Sequence, residues 1–235
     1  MTTPIKTLLL AVVLLFGSSQ VGYTQDFAKG FEAFERSDYA AALKELRPLA
    51  EQGDARAQTL VGFLYEYGKG VTQDHKEAAK WYRLAAEQGY AMAQFNLGIM
   101  YEYGQGVTQD YKEAAKWYRL AAEQGVERAQ YHLGNMYRNG HGVTQDNKEA
   151  VKWYRLAAEQ GVAEAQGNLG ASYSYGRGVI QDKVYAHMWY NIAASNGNEV
   201  AKENRDLVVE ELTPSQLEEA TRLARECVKK EYKDC

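Results

Sequence analysis

A period of 36 residues runs through most of the chain. The chain contains four tryptophans spaced at this interval, Trp81, Trp117, Trp153 and Trp189. Most units read A-x-A-Q-x-x-x-G-x-x-Y, then a turn such as YGQGVTQD at 103–110, then a segment such as KEAAKWYRLAAEQG at 112–125. An internal period of this length is the signature of stacked repeats, so the fold must be built from one small unit that packs on copies of itself.

The first half of each unit has the apolar spacing of a helix. In the first full unit this stripe consists of Ala57, Val61, Leu64 and Tyr65. Gly62 lies among them and predicts the close approach of another helix. Gly68 and Gly70 follow, and we expect the helix to end there because glycine tolerates the positive φ of a C-terminal turn.

The second half of each unit predicts another amphipathic helix. Asp74 is placed to cap its N-terminus by accepting hydrogen bonds from free backbone amides. The inner side is predicted to consist of Ala78, Trp81, Leu84 and Ala85. Because one helical pair cannot cover its own apolar face, the pairs must stack. The predicted fold is therefore all-α, an α/α superhelical solenoid of helix-turn-helix repeats with helical end caps.

The unit, with its W-Y pair and its G-x-G-V turn, resembles the Sel-1-like repeat family, a tetratricopeptide-related α/α solenoid. The resemblance covers residues 53–197 as four repeats, with Trp81, Trp117, Trp153 and Trp189 as the repeated core. It implies a degenerate helical hairpin at 25–52 and capping helices at 198–235, since terminal units of a solenoid depart from the consensus.

The resemblance also implies a function, because proteins of this class usually bind a peptide or a partner protein in their concave groove. Positions on the first helices that vary between units are free to be adapted to a ligand, with neutral solvent positions as the alternative interpretation of the variation. The predicted partner-binding residues are Arg56, Thr59, Phe63, Glu66, Met92, Phe95, Ile99, Glu102, Arg128, Tyr131, Asn135 and Arg138.

Two alternatives remain open at the level of sequence. Some cysteine-rich secreted members of the family bind penicillin with weak β-lactamase activity, but their repeats carry cysteines eight residues apart, whereas the repeats of this chain contain none. The chain also shows no nucleophile motif, so we do not expect an enzyme. A solenoid that assembles with itself or docks on an envelope complex is the other possibility.

The N-terminus predicts export. Residues 1–24 carry one lysine, an unbroken apolar run over 8–16 and then small and polar residues, which is the pattern of a cleavable signal peptide. The run is too short for a membrane span, which needs about 20 residues, although an uncleaved anchor is an alternative. We therefore expect a periplasmic or secreted protein without a stable membrane span after cleavage.

Charge and cysteine content limit the remaining possibilities. A net charge of −4 provides no basic field for nucleic acid, and the four histidines occupy different repeat positions without metal-site spacing, so no metal or cofactor is expected. The two cysteines, Cys227 and Cys235, lie near the C-terminus. In an oxidising compartment they predict a disulfide if the last helix ends before Cys235, with free or intermolecularly paired thiols as the alternative.

Overall fold

The computed structural model describes residues 21–235, with side chains from residue 27 onward. The predicted signal peptide lies outside the described residues except for 21–24, which belong to the first helix. The described residues form twelve α-helices and no strand: α1 Val21–Glu35, α2 Tyr39–Glu51, α3 Ala55–Tyr67, α4 His75–Glu87, α5 Ala91–Tyr103, α6 Tyr111–Glu123, α7 Glu127–Asn139, α8 Asn147–Ala158, α9 Ala163–Tyr175, α10 Lys183–Ser195, α11 Glu199–Val209 and α12 Pro214–Lys229.

The chain divides into two compact units. The first comprises the described residues up to Ala93 together with Gly104–Thr108, and in it α1 packs on α2, α2 on α3 and α3 on α4. The second comprises Gln94–Tyr103 and Gln109–Cys235, and in it each helix from α6 to α10 packs on the next. This succession of helix pairs confirms the predicted all-α solenoid.

Aspartate caps begin the second helix of each repeat, as predicted. Asp74, Asp110, Asp146 and Asp182 each accept hydrogen bonds from two backbone amides of the first turn, at 2.8 to 3.2 Å. A cap of this kind stabilises its helix by about 1 kcal/mol. The repeated T-Q-D or I-Q-D motif therefore sets where each second helix starts.

The two glycines of each turn have different roles. Gly140 ends α7 in the left-handed conformation, with φ of 71°. Gly142 also has a positive φ, and its Cα lies so close to the carbonyl group of Tyr111 that a Cβ could not be accommodated. The turn after α7 thus rests on the first residue of α6, which fixes the third repeat on the second.

A glycine and a tyrosine hold the two helices of each repeat together. A Cβ on Gly134 would lie 2.6 Å from the ring of Tyr154, and a Cβ on Gly98 would lie 2.7 Å from the ring of Tyr118. These rings cross the first helix at its glycine, and their hydroxyl groups donate hydrogen bonds to side chains of that same helix, Glu102 and Asn135. The close approach predicted at this glycine is therefore made by a tyrosine ring.

The predicted core is correct for the tryptophans and wrong for one leucine. Trp81, Trp117, Trp153 and Trp189 are buried. Leu84, expected on the inner side of its helix, is 40% exposed, and the equivalent Leu120 and Leu156 are exposed to a similar extent. Helical spacing alone therefore predicted too wide an apolar face.

A buried glutamine that recurs once in each 36-residue repeat connects consecutive helices. Gln130 donates a hydrogen bond to the carbonyl oxygen of Ala122, in α6, at 3.1 Å, and accepts one from Gln160, at the end of α8, at 2.8 Å. Gln166 makes the same pair of bonds with Ala158 and Asn196. The invariant glutamine of the A-x-A-Q motif is thus a polar bridge between three helices.

The C-terminal helix is closed by a disulfide. α12 ends at Lys229, and the chain then turns back through residues of positive φ so that the Cα atoms of Cys227 and Cys235 lie 5.5 Å apart and their sulfur atoms are bonded. Within the same segment Tyr232 shares a hydrogen bond with Asn196, at the end of α10, at 3.2 Å. The disulfide therefore closes a segment that is anchored to the last repeat.

Candidate functional site

Within the second compact unit, the first helix of each repeat lies beside the first helix of the next repeat. We call the side formed by these helices the first-helix face. It consists of α5 from Gln94 onward, α7 and α9. Side chains 30 residues apart join neighbouring helices: Glu102 contacts His132, and Arg138 contacts Asn168. Because the pairs occupy equivalent repeat positions, the face contains two comparable junctions.

The acidic junction consists of Glu102, Tyr118 and His132. The Oε2 atom of Glu102 accepts a hydrogen bond from the Tyr118 hydroxyl at 2.5 Å and lies 3.2 Å from Nδ1 of His132. The His132 ring packs 5.0 Å from the Tyr118 ring and 5.7 Å from Phe95. The carboxylate is therefore held on both sides by groups of the chain itself.

The surroundings of the acidic junction shift its pKa values in opposite directions. Burial acts to raise the pKa of Glu102, but the hydrogen bonds from His132 and Tyr118 outweigh it and hold the pKa below its usual value. Burial, followed by the neighbouring Glu102 charge, raises the pKa of Tyr118 strongly. Glu102 is thus an anion and Tyr118 a neutral donor at neutral pH.

The basic junction consists of Asn135, Arg138, Tyr154 and Asn168. Oδ1 of Asn135 accepts hydrogen bonds from the Tyr154 hydroxyl at 2.7 Å and from the Asn168 carboxamide at 3.3 Å. Oδ1 of Asn168 accepts one from Nη1 of Arg138 at 3.3 Å. Burial raises the pKa of Tyr154 although the Arg138 cation opposes it. This junction carries a cation and carboxamides where the previous one carries a carboxylate.

Two predicted partner-binding residues are buried, which corrects their assignment. Phe95 is 6% exposed and its ring packs on Tyr118 and His132. Thr59 is 8% exposed, and its hydroxyl donates to the carbonyl oxygen of Ala55 at 2.7 Å. The two residues occupy the same repeat position, which varies between repeats, but in these two repeats the side chain fills the interior and cannot contact a partner.

The remaining predicted residues of the first unit are half-buried, and most of them already have contacts. The guanidinium of Arg56 pairs with Asp54 at 2.7 Å and lies 4.3 Å above the ring of Phe27. Glu66 accepts a hydrogen bond from a tyrosine hydroxyl at 2.6 Å, and the Phe63 ring packs against two aromatic rings. Met92 is half-buried. This unit thus presents few groups without an internal contact.

In the second unit the structure brings several predicted residues to one side. Arg128 is exposed, and Ile99, Glu102, Tyr131, Asn135 and Arg138 are half-buried. The ring of Tyr131 lies 5.5 Å from His132 of the acidic junction and 6.3 Å from Tyr154 of the basic one. Tyr131 therefore lies between the two junctions.

Sequence reasoning missed four side chains of these junctions: Tyr118, His132, Tyr154 and Asn168. His132 and Asn168 occupy a position that holds Leu60 and Asn96 in the other repeats, so its variation is a signal that could have identified them. The tyrosines belong to the constant W-Y pair, and variation cannot reveal a constant residue whose hydroxyl reaches the face.

The described part of the chain lacks two further classes of site. No group of three or more histidine, cysteine, aspartate or glutamate side chains is arranged to hold a metal ion there. Of the helices in that part, none has the length and apolarity needed to cross a membrane.

The family comparison agrees with the 36-residue unit. The model of the Sel1 repeat matches residues 55–90, 91–126, 127–162 and 163–198, which together exceed half of the chain. The chain belongs to the Sel1 repeat family. Such repeats form mainly non-enzymatic scaffolds for protein–protein interaction. No curated protein is significantly similar in sequence to the chain.

Solved structures support the same assignment. A Sel1 repeat protein from Oxalobacter formigenes is 36% identical, with a TM-score of 0.71 over 76% of this chain and 73% of that one. The protective antigen c5321 of uropathogenic Escherichia coli, which has the same fold, is 29% identical with a TM-score of 0.59, over 89% of this chain and 55% of its own length. A sel1 repeat protein from Klebsiella pneumoniae shares the fold at 21% identity, with a TM-score of 0.52 over 80% of this chain and 93% of that chain.

Proposed function

We propose that this Sel1 repeat protein is an exported interaction module that binds a peptide or partner protein on the first-helix face of its second unit. The observation that carries the proposal is the contrast between a constant frame and a variable face. The same glycine, tyrosine and glutamine contacts recur in successive repeats, whereas the face changes from Glu102 to Arg138 at one repeat position. A purely structural repeat has no need for this reversal of charge.

Accessible side chains of the first-helix face supply the apolar part of the binding surface. Ile99 and Tyr131 are half-buried, so each keeps exposed area that a partner would cover. Tyrosine is enriched among residues that dominate interface energies because it combines a large apolar ring with a polar group. Binding centred on Tyr131 would place the partner over both junctions.

Capture with matched variants tests this surface. The full chain and an Ile99→Ala/Tyr131→Ala variant are used to recover proteins from an envelope extract of cells that produce the protein. A Leu120→Ala/Leu156→Ala variant is the control, since these leucines are exposed on second helices. We expect one saturable partner that the control retains and the face variant loses, with circular dichroism showing that all three chains are folded at the temperature of the assay. Equal recovery by both variants would place binding elsewhere, and recovery of the chain itself would favour self-association.

Export rests on two separate features. The N-terminal sequence has the pattern of a signal peptide, and Cys227 is bonded to Cys235, a bond that persists in oxidising compartments. Cell fractionation with N-terminal sequencing tests the proposal, and we expect a chain that begins between residues 20 and 26 in the envelope fraction. A chain that keeps Met1 and sediments with membranes would instead indicate an uncleaved anchor.

A further inference from the structure

A small recess beside the basic junction collects positive and hydrogen-bonding side chains. It lies within the second unit, and its polar lining consists of Arg138, Asn147, Tyr154, Asn168, Ser172 and Arg177. No acidic side chain lines it. Within the described part of the chain neither arginine forms an ion pair, although the chain as a whole is acidic.

The guanidinium of Arg138 is oriented before any ligand arrives. Its Nη1 donates to Oδ1 of Asn168 and its Nε to Oδ1 of Asn139, both at 3.3 Å. Asn168 is held in turn by Asn135. A guanidinium has five N–H donors, so about three of them remain without a described acceptor. Since the side chain is half-buried, water competes less for these donors than at an open surface.

The second arginine is brought in by the glycine turn. Gly176 and Gly178 flank Arg177, and Gly178 rests against the carbonyl group of Asn147 at the start of α8. The guanidinium of Arg177 lies 5.0 Å above the ring of Tyr175, which limits its freedom. Asn147 also lines the recess, so its side-chain amide is a further donor for a ligand.

The preceding junction shows what the recess lacks. At the acidic junction the chain supplies its own carboxylate, Glu102, to the donors Tyr118 and His132. One repeat further on, Arg138 replaces that glutamate, and Arg177 occupies the position held by Gln105 and His141 in earlier turns. Compared with the acidic junction, the recess therefore contains two arginine side chains as additional hydrogen-bond donors and lacks the carboxylate that accepts hydrogen bonds there.

We propose that this recess binds a carboxylate of an acidic peptide, with Arg138 and Arg177 as the cationic contacts and Asn147 as an additional donor. The planar fork of a guanidinium matches a carboxylate with two parallel hydrogen bonds. The carboxylate is either an aspartate or glutamate side chain or the free C-terminus of the peptide. This inference rests on the proposed function, because it names the chemistry that the first-helix face recognises.

Synthetic peptides added to the full chain test the proposal and separate the two sources of carboxylate. Acetyl-GALGAL with a free C-terminus carries only a terminal carboxylate, acetyl-GALDAL-amide only a side-chain carboxylate, and acetyl-GALNAL-amide none. Arginine Nε–Hε signals are followed by NMR, and inorganic phosphate is titrated separately. We expect at least one carboxylate peptide to shift the signals of Arg138 and Arg177 with a dissociation constant of about 0.1–1 mM, and the uncharged peptide to shift neither.

Single substitutions then assign the contacts. Arg138→Gln and Arg177→Gln should each weaken binding about tenfold or more, because a charge-assisted contact is lost. The control Arg225→Gln, an exposed arginine on α12, should leave it unchanged. Arg177 lies on an exposed turn, so its variant tests the site even if Arg138→Gln destabilises the fold. Equal binding by all variants, binding of the uncharged peptide, or binding of phosphate alone would each overturn the proposal.

The outcome is distinguishable from failure of the proposed function. If a captured partner is lost by Ile99→Ala/Tyr131→Ala but is held with unchanged affinity by both arginine variants, the first-helix face binds a partner without using the recess. If the peptides bind through both arginines while no partner depends on the face, the carboxylate site stands and the wider interaction surface does not.

Discussion

The buried phenol of Tyr118 meets a carboxylate at the acidic junction, whereas the phenol of Tyr154, one repeat later, meets a carboxamide. The backbone setting is the same, since each ring crosses a glycine of the first helix. The partner differs because Arg138 occupies the position of Glu102, and an arginine has no acceptor to offer. A buried hydroxyl group needs a partner, so another position must supply one.

Asn135 is the compensating residue. It occupies the repeat position of Ile99, which serves no polar role at the acidic junction, and its Oδ1 accepts the Tyr154 hydroxyl. Two variable positions are therefore linked by a constant tyrosine. In these two repeats the reversal of charge at one position is accompanied by a polar acceptor at the other, so the two positions change together.

The largest expected difference in stability is between alanine substitutions at Phe95 and Tyr131, which occupy the same position in two successive repeats. Phe95 is buried at the acidic junction, whereas the equivalent Tyr131 is half-buried. Phe95→Ala should lower the free energy of unfolding by about 3–5 kcal/mol, and Tyr131→Ala by about 1–2 kcal/mol. Chemical denaturation of both variants measures this, and equal losses would contradict the assignment of Phe95 to the core.

The same position shows how far sequence reasoning reaches. Aspartate caps, turn glycines and core tryptophans follow from local chemistry, because each residue type has a specific steric or hydrogen-bonding role within its own unit. Phe95 does not, because its burial depends on rings of two other helices, Tyr118 and His132. Variation between repeats identifies positions at which the repeat does not require one residue type. It does not show whether the side chain at such a position is exposed to solvent or buried in the interior.

The junctions were predictable only in part for the same reason. Glu102, Asn135 and Arg138 were identified from their variation, and they do lie on the first-helix face. The constant tyrosines that connect them were not identified, since only the crossing of ring and glycine brings their hydroxyl groups to that face. Local helix and turn signals contain no information on this crossing.

Removal of the two phenolic hydroxyls should separate the junctions. Tyr118→Phe removes a hydrogen bond to a carboxylate and should lower the free energy of unfolding by about 1.5–3 kcal/mol, whereas Tyr154→Phe removes one to a carboxamide and should cost about 0.5–1.5 kcal/mol. Denaturant unfolding at neutral pH compares them directly. A loss for Tyr154→Phe equal to or larger than that for Tyr118→Phe would show that the charge at Glu102 adds nothing.

A third prediction concerns Asn135, which supplies the acceptor for the Tyr154 hydroxyl. Asn135→Ile leaves the Tyr154 hydroxyl without its acceptor and should lower the free energy of unfolding by about 1–2 kcal/mol. Addition of Arg138→Glu recreates the arrangement of the acidic junction and should restore part of this loss, although Arg138→Glu alone should not stabilise the chain. A double-mutant cycle measures the coupling, and strict additivity would mean that the two positions are independent.

The smallest expected effect is a pH dependence of the free energy of unfolding that comes from the acidic junction alone. Because the pKa of Glu102 is held below its usual value, its contribution to stability is complete above about pH 4.3 and is lost as the pH falls through the lower, folded-state pKa. The groups that face the carboxylate are Tyr118, His132 and His141. The Glu102→Gln variant keeps these neighbours and removes only the ionisable group. The difference in free energy of unfolding between wild type and Glu102→Gln should therefore shrink as the pH falls below about 4.3, whereas the difference for Tyr154→Phe, which removes no carboxylate contact, should stay flat over the same range. If the Glu102→Gln difference also stayed flat down to about pH 3, the hydrogen bonds from Tyr118 and His132 would not favour the ionised form, and the two junctions would differ in composition but not in electrostatics.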